Sequence, residues 1–181
     1  LHILTSSATD RNNEAILLRS YITNNWPANI LLAIAGDFNT VNRSEVCLTR
    51  LSSLVTDDKQ PRDQNGDMDT EAALPRDYDY DYVLPSTLLN AKHTTTIVSG
   101  VSFPYGIVFD PRLSAWGSSL PSPVLSTDAD TMQHLAVMKT FQLESAPAAV
   151  TSATIYTISG AGGAISPANP VVNFGQSKSF S

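Results

Sequence analysis

An unbroken apolar run, Ile30-Leu31-Leu32-Ala33-Ile34-Ala35, stops on Gly36-Asp37-Phe38-Asn39. A short apolar run closed by a glycine reads as a buried strand, here Asn29 to Ala35. Such a strand carries a carboxylate and a carboxamide to the rim of a sheet. Asp37 is then a base or a metal ligand, and Asn39 a neutral group that positions a water or a phosphate oxygen. The same two residues could instead close a turn, because Asp and Asn side chains bond their own backbone. Two later segments weigh toward a site: Asp79-Tyr80-Asp81-Tyr82-Val83-Leu84-Pro85-Ser86 and Met132-Gln133-His134-Leu135-Ala136-Val137. Each keeps a plainer alternative, Asp81 as a solvent-facing strand residue beside Asp77 and Asp79, and His134 as a satisfied core histidine.

Elements on either side follow from periodicity. Ala15, Leu18 and Ile22 share one face of a helix over residues 10–24, widened by Ile16, Leu17 and Tyr21. Thr9 or Asp10 is its expected cap, and Pro27 ends the region. Ser44 is expected to cap a second helix reaching Leu54, with Leu48, Leu51 and Leu54 inward. Residues 56–77 read as a polar loop. Its stretch Asp63 to Asp69 lacks the spacing and terminal Glu of an EF-hand and reads as solvated. Tyr78 to Leu84, Ile97-Val98, Gly106 to Phe109 and Leu135 to Phe141 read as strands, and residues 111–127 as a surface loop. Trp26 and Trp116 read as packing residues and His93 as surface. After Leu143 comes an Ala/Pro-rich linker over 144–153, then a strand and Gly-rich turn pattern over 154–181: Ile155-Tyr156-Thr157-Ile158, Gly160 to Gly163 and Val171 to Gly175.

Composition limits the function classes. The formal net charge is −6 and no Lys/Arg cluster is present, which argues against tight binding of a polyanion without a metal. An acidic site that takes a divalent cation and then a phosphate suits that charge. Charged residues are 15 % of the chain, a low share that is common in secreted proteins. Cys47 is the single cysteine, so no internal disulfide forms, and its place between Val46 and Leu48 reads as a buried structural thiol. No apolar stretch approaches the ~20 residues of a membrane span. Leu1-His2-Ile3-Leu4 reads as a strand already under way, and an N-terminal truncation is expected.

Taken in order, His2, Gly36-Asp37-Phe38-Asn39, Asp81-Tyr82-Val83-Leu84-Pro85-Ser86 and Gln133-His134-Leu135-Ala136-Val137 resemble the C-terminal part of the endonuclease/exonuclease/phosphatase superfamily, the deoxyribonuclease-like phosphodiesterases. The likeness covers about residues 1–143. His2-Ile3 with Arg11 resembles the family's His pair before a helix, Gly36 to Asn39 matches its Gly-Asp-Phe-Asn, and Asp81-Tyr82 its Arg-Ile-Asp-Tyr, with Arg76 out of register. The terminal Ser-Asp-His-x-Pro-Val is matched at His134 and Val137 alone; Met132, Gln133 and Ala136 replace the usual Ser, Asp and Pro. The tail resembles bacterial extracellular repeats with a Gly-Gly-x-Ile-Ser-Pro core.

The resemblance implies an α+β fold, part of a four-layer α/β/β/α sandwich, followed by a short C-terminal β-hairpin module. It implies a metal-dependent phosphodiester hydrolase, nuclease-like, secreted or held at a bacterial cell surface, acting on nucleic acid or another phosphodiester. The implied catalytic residues are His2, Asp37, Asn39, Asp81 and His134. Mg²⁺, or Mn²⁺ or Ca²⁺, is the implied cofactor, with Asp37 and Asn39 as candidate ligands of a second metal. Gln133 stands where the usual Asp holds metal and offers only a neutral carbonyl oxygen. The family's Asn and Glu ligands belong to an upstream half, so residues 1–181 alone are expected to be inactive. The alternative expectation is a non-catalytic extracellular surface or binding module that retains the fold.

Overall fold

The first helix, α1, forms over Ala8–Asn25 in the computed structural model, which describes residues 1–3, 7–113, 124–143, 152–154, 166–173 and 176–179. Its cap is Ser7 rather than Thr9 or Asp10. The Ser7 hydroxyl accepts the Asp10 N–H at 3.1 Å and donates to Asp10 Oδ2 at 2.7 Å, satisfying one of the donors that a helix start leaves open. Ala15 and Ile22 face the core, with Leu18 packed beside them. Leu17 and Tyr21 are exposed, so the buried stripe is narrower than the apolar pattern. α1 ends where Trp26 turns extended ahead of Pro27. Trp26 is 46 % exposed, not a packing residue. Trp116 lies outside the described residues.

The strand β1 spans Ala33–Asp37 and so includes the Gly-Asp of the motif. It pairs antiparallel with β2, Asp81–Pro85, in a register that sets Ala33 against Pro85 and Asp37 against Asp81. Burial alternates, with Leu32 and Ile34 inside and Leu31 outside. The apolar run is therefore half-buried, not a doubly covered strand, because cover lies on one face only. On its other edge, β1 takes the N-terminal residues as a parallel neighbour. Leu1 N–H donates to Ala35 O at 2.9 Å, Asp37 N–H to Leu1 O at 3.1 Å and Ile3 N–H to Asp37 O at 3.0 Å. Gly36 makes this approach possible. Its φ is +135°, and a Cβ there would stand 2.1 Å from Leu1 O, so a side chain would expel the strand.

The helix α2 is Val46–Leu51, shorter than the spacing predicts, with Glu45 as its first flanking residue. Ser44 does not cap it; its N–H donates to Asn42 Oδ1 at 2.9 Å. The Glu45 carboxylate instead grips the buried Arg11 guanidinium at 2.7 and 2.8 Å, tying α2 to α1. One apolar core joins Ala15 and Ile22 of α1, Leu32 and Ile34 of the β1 run, Cys47 and Leu51 of α2, and Phe38 and Tyr82. Phe38 and Tyr82 meet edge-on at 5.2 Å, a favoured aromatic geometry. Cys47 is a buried free thiol, pushed up by burial.

Residues 56–77 form a loop, but the carboxylates of Asp63 to Asp69 are not simply solvated. Arg76 is their hub. Its guanidinium bonds the Asp63 carboxylate and the Asp69 carbonyl, and lies 3.5 Å from Asp67 and 3.6 Å from Asp110. Asp63 is 5 % exposed and Asp110 3 %. Asp63 Oδ1 also accepts the Asn65 and Asp67 amides at 2.7 and 3.0 Å. The carboxylates that gave this loop its superficial likeness to a calcium site are thus neutralised by an internal guanidinium. The long-range partner, Arg76, is what the local pattern could not reveal.

A short helix α3, Thr87–Asn90, is capped by Ser86, whose hydroxyl accepts Leu89 N–H at 3.3 Å. Then come β3 (His93–Thr94), β4 (Thr96–Val98), β5 (Val101–Phe103), β6 (Ile107–Phe109), a 3-10 turn at Asp128–Thr131, β7 (Ala136–Met138) and β8 (Thr140–Phe141). β4 pairs with β5, β6 with β7, and β3 with β8, all antiparallel. His93 is half-buried against Phe141, at 5.8 Å between rings, rather than a surface residue. The fold is thus mixed α and β with small antiparallel sheets, each two-stranded among the described residues. Among those residues no helix is long and apolar enough to cross a membrane.

By internal contacts the chain divides into Leu1–Gln142 and Leu143–Ser181. In the second unit β9, Ser152–Thr154, pairs antiparallel with β10, Val171–Asn173. The expected strand at Ile155 to Ile158, its Gly-rich turn, residues 144–151 of the linker and residues 114–123 of the earlier loop lie outside the described residues.

Candidate active site

Three separate stretches converge at one end of the β1–β2 pair. β1 ends on Asp37, β2 begins on Asp81, and the two residues are direct cross-strand partners. Two residues before β7, His134 forms an isolated antiparallel bridge with Glu71. The register is held on both sides, by Leu135 N–H to Thr70 O at 2.7 Å and Ala72 N–H to Gln133 O at 3.0 Å. One side-chain atom from each of Asp37, Asp81 and His134 lies within 4.8 Å of the others.

The imidazole is oriented by Asp81. His134 Nδ1 lies 2.8 Å from Asp81 Oδ2, so the carboxylate accepts a hydrogen bond from Nδ1–H and favours the tautomer protonated there. That leaves Nε2 facing Asp37 Oδ2 at 3.8 Å. Burial raises the Asp81 carboxyl above its usual range, opposed by its bond and attraction to His134; the Asp37 charge adds to the rise.

Asp37 is pinned from its own strand end. Its Oδ1 accepts the Asn39 N–H at 2.7 Å, the local turn bond expected of this residue type. Its Oδ2 therefore faces outward, between His134 Nε2 and His2 Nε2, the latter 3.5 Å away. The turn bond engages one oxygen and leaves the other toward the two imidazoles. Asn39 adopts φ +48° and its Nδ2 donates to Ile3 O at 2.7 Å, which locks the motif to the N-terminal strand bearing His2. The His2 side chain is 72 % exposed. Gln133 is exposed too, and its backbone carbonyl is the group that bonds Ala72. Arg11 sits apart from this cluster, engaged with Glu45.

Sequence reading missed Thr70 and Tyr80. Thr70 is fully buried, and its hydroxyl accepts both Tyr80 N–H at 2.8 Å and Asp81 N–H at 2.9 Å. Tyr80 lays its ring 5.1 Å from the His134 ring. The Tyr-Asp alternation over residues 78–82 was a signal for Tyr80; nothing local marks Thr70.

Two carboxylates and an imidazole form an oxygen-rich donor set that suits a hard divalent cation. The open oxygen is Asp37 Oδ2, since His134 Nδ1 is already engaged by Asp81. The directly opposed like charges of Asp37 and Asp81 are themselves unfavourable across a strand pair, a repulsion that an imidazolium or a cation relieves. In comparisons with family models, curated proteins and solved structures, none matches this chain.

Proposed function

We infer that this protein is a metal-dependent phosphodiester hydrolase, with the phosphate held among His2, Asp37 and His134. The observation that carries the reading is the Asp81–His134–Asp37 relay: a 2.8 Å carboxylate–imidazole bond on Nδ1 and a second carboxylate 3.8 Å from Nε2. A positioned imidazole with a carboxylate behind it either moves a proton or, once charged, stabilises anionic charge on a phosphorane-like centre. His134 Nε2, with Asp81 on its Nδ1, accepts a proton of the attacking water. His2, the exposed imidazole on the far side of Asp37 Oδ2, protonates the leaving oxygen. Asn39 holds the strand end so that these groups keep their spacing. Asp37 Oδ2, with Asp81 behind, would hold a Mg²⁺ or Mn²⁺ ion, which when bound neutralises charge on the phosphate.

The order of the four motifs resembling the deoxyribonuclease-like superfamily supports the same reading, as does the mixed α and β fold; the four-layer sandwich is part of this proposal. The low share of charged residues, 15 %, favours an extracellular or cell-surface setting.

The test is Mg²⁺- or Mn²⁺-dependent release of nitrophenol from bis(4-nitrophenyl) phosphate, read on the full-length polypeptide. Metal binding is read by calorimetry on the same polypeptide. Asp37→Asn and His134→Ala should each lower the rate by about 10²-fold or more. Unchanged rates in both variants would end the reading. Absence of any metal binding would favour a non-catalytic surface module instead.

A further inference from the structure

The chain leading into β2 departs from a regular strand. Successive amides of an extended strand point to opposite edges, yet Tyr80 and Asp81 both donate to Thr70 Oγ1. The resulting kink brings Tyr80 and Asp81 to the same imidazole. Asp81 bonds the His134 ring edge at 2.8 Å, and the Tyr80 ring lies 5.1 Å from it, tilted by 50°. Tyr78 continues the row, stacked on Tyr80 at 5.7 Å and 21°. Tyr82 alone of the three turns into the core. Three rings, His134, Tyr80 and Tyr78, therefore run outward from Asp37, and the outermost is 38 % exposed.

The hydrolysis described above employs His134 and Asp81 and leaves the two tyrosines without a part. Their surroundings are acidic. The Tyr80 hydroxyl donates to Glu71 Oε1 at 3.5 Å, and Glu71 also accepts Asp77 N–H at 3.2 Å. An aromatic face with acceptors at its rim suits a flat ring carrying amino donors, because stacking tolerates any base while the rim favours N–H groups. A long polyanion is disfavoured by the same rim and by the net charge of −6.

We propose that the outer face of Tyr78, backed by Tyr80, is a stacking subsite for an amino-bearing nucleobase, so that the substrate is a small nucleoside phosphodiester rather than a long nucleic acid. The position of the phosphate rests on the hydrolase reading; the stacking subsite itself is tested without turnover. Protein with labelled tyrosine and histidine rings is titrated with adenosine 5′-monophosphate and, as the base-free control, with ribose 5-phosphate. The nucleotide should shift the Tyr78 and Tyr80 ring signals, and ribose 5-phosphate should not. Tyr78→Ala should weaken nucleotide binding about tenfold or more, and Tyr78→Phe should leave it nearly unchanged. Equal responses to both probes, or tyrosine signals that stay still, would overturn the subsite.

The two readings fail separately. Ring shifts with the nucleotide in a protein that cleaves no diester would uphold the subsite and end the hydrolase. Cleavage that depends on His134, with nucleotide binding untouched by Tyr78→Ala, would uphold the hydrolase and end the subsite.

Discussion

Asp37 and Asp81 face each other directly across the β1–β2 pair. Like charges so placed repel, and the partners drawn to them are imidazoles: His134 on Asp81 at 2.8 Å and His2 beside Asp37 at 3.5 Å. The strand pairing thus gathers two carboxylates and two imidazoles at one end of the sheet.

Metal should stabilise the fold through this cluster. At about a hundred times its Kd, Mn²⁺ should add ~2.7 kcal/mol to the unfolding free energy. Asp37→Asn should abolish the gain, because the open Oδ2 is the proposed donor. Thermal unfolding with and without chelator measures both; an equal gain in the variant would place the ion elsewhere.

Asp79 sets a pH dependence of a different kind. The carboxyl is 5 % exposed, and burial pushes it up to about 6, with Arg43 at 3.3 Å opposing the rise. A carboxyl whose folded pKa is raised favours the folded state when protonated. Its contribution is therefore present below about pH 4 and lost as pH rises through about 6. Asp79→Asn should be more stable than the parent at pH 7.5, by on the order of 2 kcal/mol, with the difference vanishing by pH 4. Urea unfolding across that range measures it.

Arg76 should be indispensable to the loop it anchors. Removing the guanidinium leaves the buried carboxylates of Asp63 and Asp110 close together without their shared cation. Arg76→Ala should cost about 3–5 kcal/mol, whereas adding Ca²⁺ to the parent should leave the amide signals of residues 63–69 in place. Denaturant unfolding and amide spectra read the two outcomes.

Thr70→Val keeps the shape and deletes the shared acceptor. Two amides lose their partner, at about 1–3 kcal/mol each where they stay buried, and Asp81 is released from the kink. The His134 ring signals should shift through the released Asp81. Retention of the parent His134 spectrum would show that the kink is held by other bonds.

Gly36→Ala should dislodge the N-terminal strand. The added Cβ meets Leu1 O at 2.1 Å at a φ of +135°, and the backbone itself must move. Loss of hydrogen-exchange protection at Ile3 and Asp37, with a changed His2 signal, is the expected readout.

Much of the local structure was legible in the chain. The spacing of Ala15, Leu18 and Ile22 marked α1, and the run closing on Gly36-Asp37 marked β1. Periodicity reports which positions share a face, but not how much of that face is covered. For that reason Leu17, Leu31 and Trp26 looked internal and are exposed. Caps were misplaced where neighbouring hydroxyls competed: Ser7 outdid Thr9, and Glu45 answered Arg11 in place of a Ser44 cap.

By itself the sequence determined the chemical inventory: which carboxylates, imidazoles and tyrosines exist, and that a strand ends on a glycine followed by an acid. Only the tertiary structure decided their pairings, because His134 and Asp81 lie 53 positions apart and Arg11 and Glu45 34. Short-range periodicity encodes the direction of a side chain, whereas a partner so distant is chosen by the register of the sheet and by the buried charge that each group must neutralise.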